Sequence, residues 1–216
     1  MRESEVSTLL PAPGSNGEVL QDFISSAVHG AGDSDRRRLK LFSIAIASRG
    51  KVFVELGVRT GTTTMPLLEA AKLNGGFLHS VDVVDTSFKC PIGYENHWSF
   101  QKIDALEFLD SWDPMTKIDV LYIDDWHSYE HVERELEIAD RLVGPSSVVV
   151  LHDLMWGNHA PFYHCDLTLK AGQWADGGPY RAVCELDPQL WEWATLPWNN
   201  GLTILRKKYS SKFHVI

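Results

Sequence analysis

One stretch, residues 51–64, constrains the fold more than any other part of the sequence. It reads K-V-F-V-E-L-G-V-R-T-G-T-T-T, so an apolar run meets Gly57 and Gly61 just before a threonine-rich segment with Pro66. This pattern predicts a strand, a tight turn and a helix start, where proline is tolerated because the N–H that it lacks would be unpaired. The free N–H groups of a helix start suit a carboxylate or phosphate. Either the turn binds such a ligand or it only connects strand and helix.

Apolar strands and helical segments alternate after this turn. Residues 118–125 form a continuous apolar run that predicts a central strand buried on both faces, and residues 126–142 carry apolar positions at helical spacing. Asn200-Gly201 predicts a hairpin turn between the last two strands. The alternation predicts an α/β fold with a doubly wound, mostly parallel sheet. Further strands are predicted at 77–84, 147–151, 191–196 and 202–206, and further helices at 63–73, 105–111 and 179–186.

Three segments lie outside this alternation. Residues 1–17, which end in P-A-P-G-S-N-G, are expected to form a flexible arm because they carry too little apolar surface to become ordered. Residues 18–50 are predicted to form two helices, and the basic run Arg36-Arg37-Arg38 is interpreted as the solvated side of the second helix. Residues 155–178 are too many for an ordinary connection. They are expected to close over a substrate, to pack on themselves or to contact a second subunit.

Charge and cysteine content limit the partners and the location. The formal net charge is −9, and a protein with a polyanionic substrate normally has a basic face, so a nucleic-acid partner is disfavoured. Cys90, Cys165 and Cys184 lie far apart without a C-x-x-C pair, which indicates a reducing compartment. No apolar run approaches ~18 residues, the length that a transmembrane helix needs. We therefore expect a cytoplasmic protein that does not bind a membrane.

Residues 55–61, E-L-G-V-R-T-G, resemble motif I of the class I S-adenosylmethionine (SAM) methyltransferases. They do not match the G-x-G-x-x-G fingerprint of dinucleotide-binding folds, because Val58 and Arg59 occupy the turn. The resemblance implies the class I architecture: a Rossmann-like, seven-stranded sheet with a C-terminal antiparallel hairpin, in a SAM-binding domain that spans residues 51–216. It also implies cofactor contacts from the motif residues Glu55, Gly57, Thr60, Gly61 and Thr62.

Two further acids follow predicted strands. Asp82 lies 21 positions after Gly61 (82 minus 61), where an acid at the end of a second strand accepts hydrogen bonds from both ribose hydroxyls of a nucleotide. A solvated strand end is the alternative for Asp82. The segment around Asp104 and Ala105 resembles the G-D-A-x-E-x-L segment of the methyltransferases, which implies a contact to adenine. Asp104 is also a suitable N-cap for the next helix, and the two roles are compatible.

Titratable side chains follow the fourth and fifth predicted strands. If these strands are neighbours, they lie about 4.8 Å apart, and ligands bind beyond the carboxyl ends of parallel strands. Several carboxylates this close repel one another unless a cation, a proton or an imidazolium offsets their charge. The residues expected together at this edge are Asp124, Asp125, His127, His152 and Asp153.

The segments Y-I-D-D-W-H-S-Y-E-H-V and V-V-L-H-D are similar to those of metal-assisted O-methyltransferases that act on sugars and other natural products. The resemblance implies that Asp124, His152 and Asp153 bind a divalent cation, commonly Mg²⁺. It also implies that His127 is the catalytic base and that Asp124 takes part both in catalysis and in binding the cofactor. A helix-cap or core histidine is the alternative for His127.

The sequence departs from this subfamily at two places. Asp125-Trp126 stands where Gly-Asp is usual, and His152 replaces an acid. Because Mg²⁺ prefers oxygen ligands, His152 shifts the expected metal towards Mn²⁺, Zn²⁺ or Fe²⁺.

Together these resemblances favour a SAM-dependent methyltransferase that acts on a hydroxyl of a small molecule, such as a sugar or natural product. Two alternatives stay open. One is a metal-dependent hydroxylase or NAD(P)-type oxidoreductase on the same fold, and the other is a noncatalytic SAM-fold binding subunit. In many small methyltransferases, leading helices such as those of residues 18–50 cover the cofactor or contact a partner subunit, so a homodimer is one expected assembly.

Overall fold

The computed structural model describes residues 17–30, 33–154, 175–197 and 200–208. Strands and helices alternate along most of this part of the chain, as predicted. Its helices are α1 (Gly17–His29), α2 (Asp33–Ala47), α3 (Thr64–Leu73), α4 (Ala105–Ser111), α5 (Tyr129–Leu142) and α6 (Gly178–Cys184), with 3₁₀ turns at Glu95–His97 and Ala175–Gly177. Its strands are β1 (Val52–Leu56), β2 (Phe77–Asp82), β3 (Trp98–Lys102), β4 (Ile118–Ile123), β5 (Val143–His152), β6 (Trp191–Leu196) and β7 (Leu202–Lys207).

The strands of the described ranges form one seven-stranded sheet in the order β3-β2-β1-β4-β5-β7-β6. Strands β1 to β5 are parallel, whereas β7 pairs antiparallel with both β5 and β6. The order runs outward from β1 on one side and from β4 on the other. A crevice at this switch point is where doubly wound folds bind ligands. The sheet confirms the predicted α/β class and the antiparallel C-terminal hairpin.

Apolar side chains form a hydrophobic core on each face of the sheet. Successive residues of a strand point to opposite faces, and accordingly Val120 and Tyr122 belong to one core while Leu121 and Ile123 belong to the other. Helices α1, α2 and α3 contribute to the first core, and α4, α5 and α6 contribute to the second. Strand β4 is therefore buried on both faces, as its apolar run predicts.

Strand β5 begins earlier than the sequence predicts. Helix α5 ends one residue before β5 starts, so Gly144 and Pro145 lie inside the strand. The pairing register between β4 and β5 shifts between Ile118 and Val120. Such an irregularity accommodates proline, which has no N–H for a regular ladder. Beyond the shift the two strands are parallel neighbours, which satisfies the condition for their terminal side chains to cluster.

The C-terminal hairpin has a longer connection than a two-residue turn. Leu196 pairs with Leu202, so residues 197–201 join the strands. Asn200 and Gly201 have φ values of +61° and +84°. These positive values explain why Asn-Gly occupies this position, since both residues tolerate the left-handed region.

Some predictions concern residues outside the described ranges. The expected arm at residues 1–17 falls there except for its last residue, and so does most of the expected substrate loop at residues 155–178. The two helices predicted within residues 18–50 are confirmed as α1 and α2. Among the helices that the structure describes, none combines the length and the apolar character needed to cross a membrane.

Candidate active site

The carboxylate of Glu55 is enclosed where β1, β2 and the start of α3 meet. It is fully buried and accepts hydrogen bonds from the hydroxyl groups of Thr63, Thr64 and Ser80 at 2.8, 2.8 and 2.7 Å. Burial raises the pKa of Glu55 to about 7, although the three hydroxyl donors lower it. Glu55 therefore stabilises the motif I turn from the buried side of the turn. It does not line the cavity that the turn borders.

Two glycines allow the turn to pass close to its neighbours. Gly57 has a φ of +86°, and a Cβ atom there would lie 2.3 Å from the backbone oxygen of Asp124. Gly61 has a φ of +80°, and a Cβ atom there would lie 2.4 Å from the ring of Phe88. Residues with a side chain rarely adopt such φ values, and a Cβ atom would clash at both positions, so both positions require glycine. The turn consequently packs directly against the end of β4.

A cavity of about 480 Å³ opens at the carboxyl ends of β1, β2 and β4. This volume lies within the range of small-molecule sites. The sequence did not single out Arg59, Trp126 and His131, which also line the cavity. The candidate cofactor residues that the structure brings together there are Gly57, Asp82, Asp104, Ala105 and Asp124.

Thr60 and Thr62 lie at a second, smaller cavity on the other side of the turn. This cavity has a volume of about 120 Å³ and is also lined by Arg37 and Asp124. The two threonine hydroxyls are 3.1 Å apart and share a hydrogen bond. Asp124 borders both cavities, so it separates the space beside Asp82 from the space beside these threonines.

Asp82 holds the motif I turn in place. Its Oδ2 atom accepts hydrogen bonds from the backbone N–H groups of Val58 and Arg59, both at 2.9 Å, and its Oδ1 atom accepts one from Val84 at 3.0 Å. Asp82 is therefore more than a solvated strand end, because its carboxylate fixes the backbone of two loops. The predicted ribose contact would use the acceptor capacity that these three N–H groups leave, since an ionised carboxylate has about four lone-pair positions.

Asp104 is the N-cap of α4. Its Oδ1 atom accepts hydrogen bonds from the N–H groups of Leu106 and Glu107 at 2.9 and 3.3 Å. The cap prediction is confirmed, and Asp104 also lines the cavity together with Ala105. The cap and the predicted adenine contact are therefore geometrically compatible.

Asp124, His127, His152 and Asp153 come together at the ends of β4 and β5, and we call them the strand-end cluster. The Nε2 atom of His127 lies 3.4 Å from Asp124 Oδ1 and 3.4 Å from Asp153 Oδ2. The Nδ1 atom of His152 lies 3.2 Å from Asp124 Oδ1 and 2.8 Å from Asp153 Oδ1. Each imidazole thus bridges two carboxylates. Within the described residues, Asp124 is the member of this cluster that borders the large cavity.

The charge of Asp124 is stabilised from several sides. Burial alone would raise its pKa, but hydrogen bonds from His127 and His152 and the positive charges of His152 and Arg37 outweigh burial. The pKa of Asp124 therefore lies well below its usual range, and the residue is a carboxylate at neutral pH. The hydroxyl of Tyr122 also donates to its Oδ2 atom at 2.9 Å.

Arg37 corrects the interpretation of the basic run as a solvated helix face. It is only 5% exposed. Its Nη1 atom lies 3.1 Å from both Asp124 Oδ2 and the hydroxyl of Tyr122. Arg36, the preceding residue, is exposed. Successive helical residues point in different directions, so one arginine of the run faces the site. Nothing in the local sequence shows which acid it meets.

Asp125 does not join the strand-end cluster, contrary to prediction. Its Oδ2 atom lies 3.0 Å from the Nε2 atom of His131, which in turn lies 3.6 Å from Glu135 Oε1. Burial lowers the pKa of His131, but the hydrogen bond that its ring donates to Asp125 and the negative charges of Asp125 and Glu135 outweigh burial and raise the pKa to about 10. Burial and the nearby Asp125 raise the pKa of Glu135 well above its usual range. Adjacent aspartates after β4 thus serve two different clusters.

The comparisons with known proteins agree with this architecture. Residues 54–154 match a family described as a methyltransferase domain. This match runs from within β1 to just beyond the end of β5, the part of the chain that carries the motif I turn and the strand-end cluster. No curated protein matches the sequence.

Solved structures with the same fold are distant in sequence. The chain is similar to TomG, an O-methyltransferase from Streptomyces achromogenes in complex with SAM, at 14% identity and a TM-score of 0.57 over 97% of this chain and 100% of that one. An SAH-bound methyltransferase from Podospora anserina, PaMTH1, has 13% identity and a TM-score of 0.56 over 97% of both chains. An O-methyltransferase from Bacillus cereus in complex with SAH has 13% identity and a TM-score of 0.54 over 95% and 96%.

Proposed function

We propose that this protein is a class I SAM-dependent methyltransferase and that it transfers the methyl group to a hydroxyl oxygen of a small molecule. The observation that carries the proposal is the position of Asp124, which borders the cavity beside the motif I turn and contacts His127 in the strand-end cluster. Asp124 thus belongs to the candidate cofactor site and also contacts the candidate base. TomG, a structure with the same fold, is an O-methyltransferase involved in tomaymycin synthesis, which supports an oxygen atom of a natural product as the acceptor.

The large cavity fits SAM in size and in the chemistry of its lining. Gly57 lets the turn approach a ligand closely, and Asp82 would accept hydrogen bonds from the ribose hydroxyls. Asp104 and Ala105 would contact the adenine edge, since the cap bonds of Asp104 use only its Oδ1 atom. When bound, SAM would supply a methyl group that its positive sulfonium makes electrophilic.

His127 is the proposed base. An imidazole takes up a proton readily near neutral pH, so it suits the removal of a proton from an acceptor hydroxyl. Asp124 and Asp153 each have a carboxylate oxygen 3.4 Å from its Nε2 atom. The same contacts orient the ring. Holding the acceptor oxygen in line with the methyl group would supply much of the remaining rate enhancement.

The strand-end cluster contains donors for a divalent cation, but protein groups already balance its charge. Asp124, His152 and Asp153 each offer one atom within 4.8 Å of the others, and a cation there would lower the pKa of a substrate hydroxyl. However, Arg37 and Tyr122 already contact Asp124 Oδ2. We therefore assign the positive charge at this cluster to Arg37 and His152, and we derive no step from a metal.

Cofactor binding and methyl transfer test the proposal separately. Calorimetry should show binding of SAM and no binding of NAD. Methyl transfer from labelled SAM should be measured with phenols, catechols and sugars as acceptors. Binding of NAD in place of SAM would favour the oxidoreductase alternative, and binding of SAM without transfer to any acceptor would favour a noncatalytic subunit.

Replacement of the base separates catalysis from cofactor binding. His127→Ala should leave the affinity for SAM nearly unchanged and lower kcat by about 10²–10⁴-fold. His29→Ala is the matched control, because His29 is exposed at the end of α1. Unchanged turnover in His127→Ala would remove the assignment of the base and leave the assignment of the cofactor intact.

A further inference from the structure

We propose that Asp125, His131 and Glu135 bind one divalent transition-metal ion, at a site separate from the strand-end cluster. We call these three residues the α5 site. Asp125 lies between β4 and α5, His131 lies in the first turn of α5, and Glu135 follows one turn later. The proposal does not depend on the proposed base or acceptor.

Two of the three donor separations at the α5 site are close to those between adjacent ligands of a metal ion. His131 and Glu135 are four residues apart on one helix, a spacing that places two ligands on the same face. The His131 Nε2 atom lies 3.0 Å from Asp125 Oδ2 and 3.6 Å from Glu135 Oε1, and all three donors lie within 4.8 Å of one another. Metal–ligand bonds of about 2.1 Å at tetrahedral or octahedral angles separate adjacent donors by about 3.0–3.5 Å.

The buried carboxylate of Glu135 also supports a bound cation at the α5 site. Its side chain is 0% exposed, and neither carboxylate oxygen forms a hydrogen bond with the described residues. The nearest described cationic nitrogen is His131 Nε2, at 3.6 Å. Asp125 Oδ1 is likewise buried without a hydrogen-bond partner in the described ranges. A buried carboxylate without hydrogen bonds is costly, and a cation would satisfy both acids.

The two clusters differ in the charges that surround them. Asp124 in the strand-end cluster has the guanidinium of Arg37 at 3.1 Å. At the α5 site, by contrast, no ion pair within the described residues joins an arginine or lysine to Asp125 or Glu135, and the ionic contact of both is His131. A divalent cation would displace the protons of His131 and Glu135, so that two carboxylates and a neutral imidazole would balance its charge. Asp125 and His131 both line the large cavity, so an ion can enter from there.

The ligand set indicates the class of ion and its effect. Carboxylate ligands with one imidazole suit Mn²⁺, Fe²⁺ or Zn²⁺ better than Mg²⁺, which prefers oxygen alone. The ion would connect Asp125 to α5 and would thereby stabilise the loop that carries His127. Its role is positional, because no donor atom of the α5 site belongs to the proposed base.

Mn²⁺ alone is the probe. Titration calorimetry and electron paramagnetic resonance of the full chain should show one bound Mn²⁺, and Mn²⁺ should raise the Tm. Glu135→Gln preserves the shape of the side chain and removes one ligand charge, so it should weaken binding by at least about tenfold. His131→Gln should do the same. Glu137→Gln makes the identical chemical change on the exposed side of α5 and should bind as the wild-type chain does.

The variant Asp153→Asn distinguishes the two clusters. It should retain the Mn²⁺ affinity of the wild-type chain, because Asp153 is not a ligand of the α5 site. The proposal is overturned if Asp153→Asn loses the ion while Glu135→Gln keeps it, or if the wild-type chain binds no Mn²⁺ at millimolar concentration. Circular dichroism checks that each variant is folded. The affinity for SAM, measured on the same samples, shows whether a negative result concerns the α5 site or the cofactor site.

Discussion

The guanidinium of Arg37 lies 3.1 Å from the carboxylate of Asp124, which joins a helix from before the motif I turn to the end of the central strand β4. Both side chains are largely buried, at 7% and 18% exposure. Helix α2 is therefore part of the candidate active site and does more than cover the sheet. A buried ion pair of this kind is costly to break on one side, because the remaining charge stays buried without its partner.

We expect Arg37→Met to destabilise the protein by about 3–5 kcal/mol, because it leaves Asp124 without the guanidinium. Urea unfolding of the wild-type chain and the variant measures this difference. Arg36→Met is the matched control, since the exposed neighbour should change stability by no more than about 0.5 kcal/mol. Equal losses in both variants would show that the ion pair adds nothing beyond helix propensity.

Glu55→Gln should alter how stability depends on pH. The pKa of Glu55 is raised from 4.5 to about 7 in the folded protein, so the folded state holds its proton more tightly than the unfolded state does. Its contribution is fully present below about pH 4.5 and is lost as the pH rises through about 7. The free energy of unfolding of the wild-type chain minus that of Glu55→Gln should therefore fall by on the order of 3 kcal/mol across this range.

Denaturant unfolding at a series of pH values measures this difference, and taking it against the variant cancels the titration of other groups. A flat difference would mean that Glu55 keeps its ordinary pKa when buried. A rise with pH would mean that the three hydroxyl donors outweigh burial.

Asp82→Asn should weaken the binding of SAM. The variant loses the charge that the two turn N–H groups contact and places an NH₂ group near backbone donors, which costs about 2–3 kcal/mol, or roughly 30–150-fold in affinity. Calorimetry with SAM measures the change. Asp85→Asn is the control, because Asp85 is exposed and pairs with Lys102 at the surface. An unchanged affinity in Asp82→Asn would place the cofactor elsewhere.

Gly57→Ala should be far more damaging than Gly75→Ala. Both glycines have positive φ values, +86° and +70°, so both variants incur backbone strain of about 1–2 kcal/mol. Only Gly57 adds a clash, since its Cβ atom would lie 2.3 Å from the backbone oxygen of Asp124, whereas a Cβ atom at Gly75 meets nothing within 4 Å. We expect an additional loss of about 1–3 kcal/mol in Gly57→Ala. Equal stabilities in urea unfolding would contradict the close approach of the turn to β4.

Much of the fold follows from patterns between neighbouring residues. The apolar run at 118–125 predicts a strand buried on both faces, and the structure has β4 at Ile118–Ile123 with a core on each side. Asp104 predicts the start of α4 because a cap acts within three residues. The early start of β5 was missed, because a bulge that accommodates Pro145 depends on the partner strand and not on the local sequence.

The same distinction between local patterns and long-range packing applies to the candidate site. Local sequence patterns are sufficient to predict the motif I turn, the carboxylates at the strand ends and the resemblance to methyltransferases, since glycine φ values, caps and strand periodicity act over a few residues. The contact of Arg37 with Asp124, 87 positions away, and the contact of Asp125 with His131 arise from the packing of the folded chain and could not be predicted from local sequence. Beyond the end of a strand, a side chain points wherever packing and charge are best satisfied, and its partners come from distant parts of the chain.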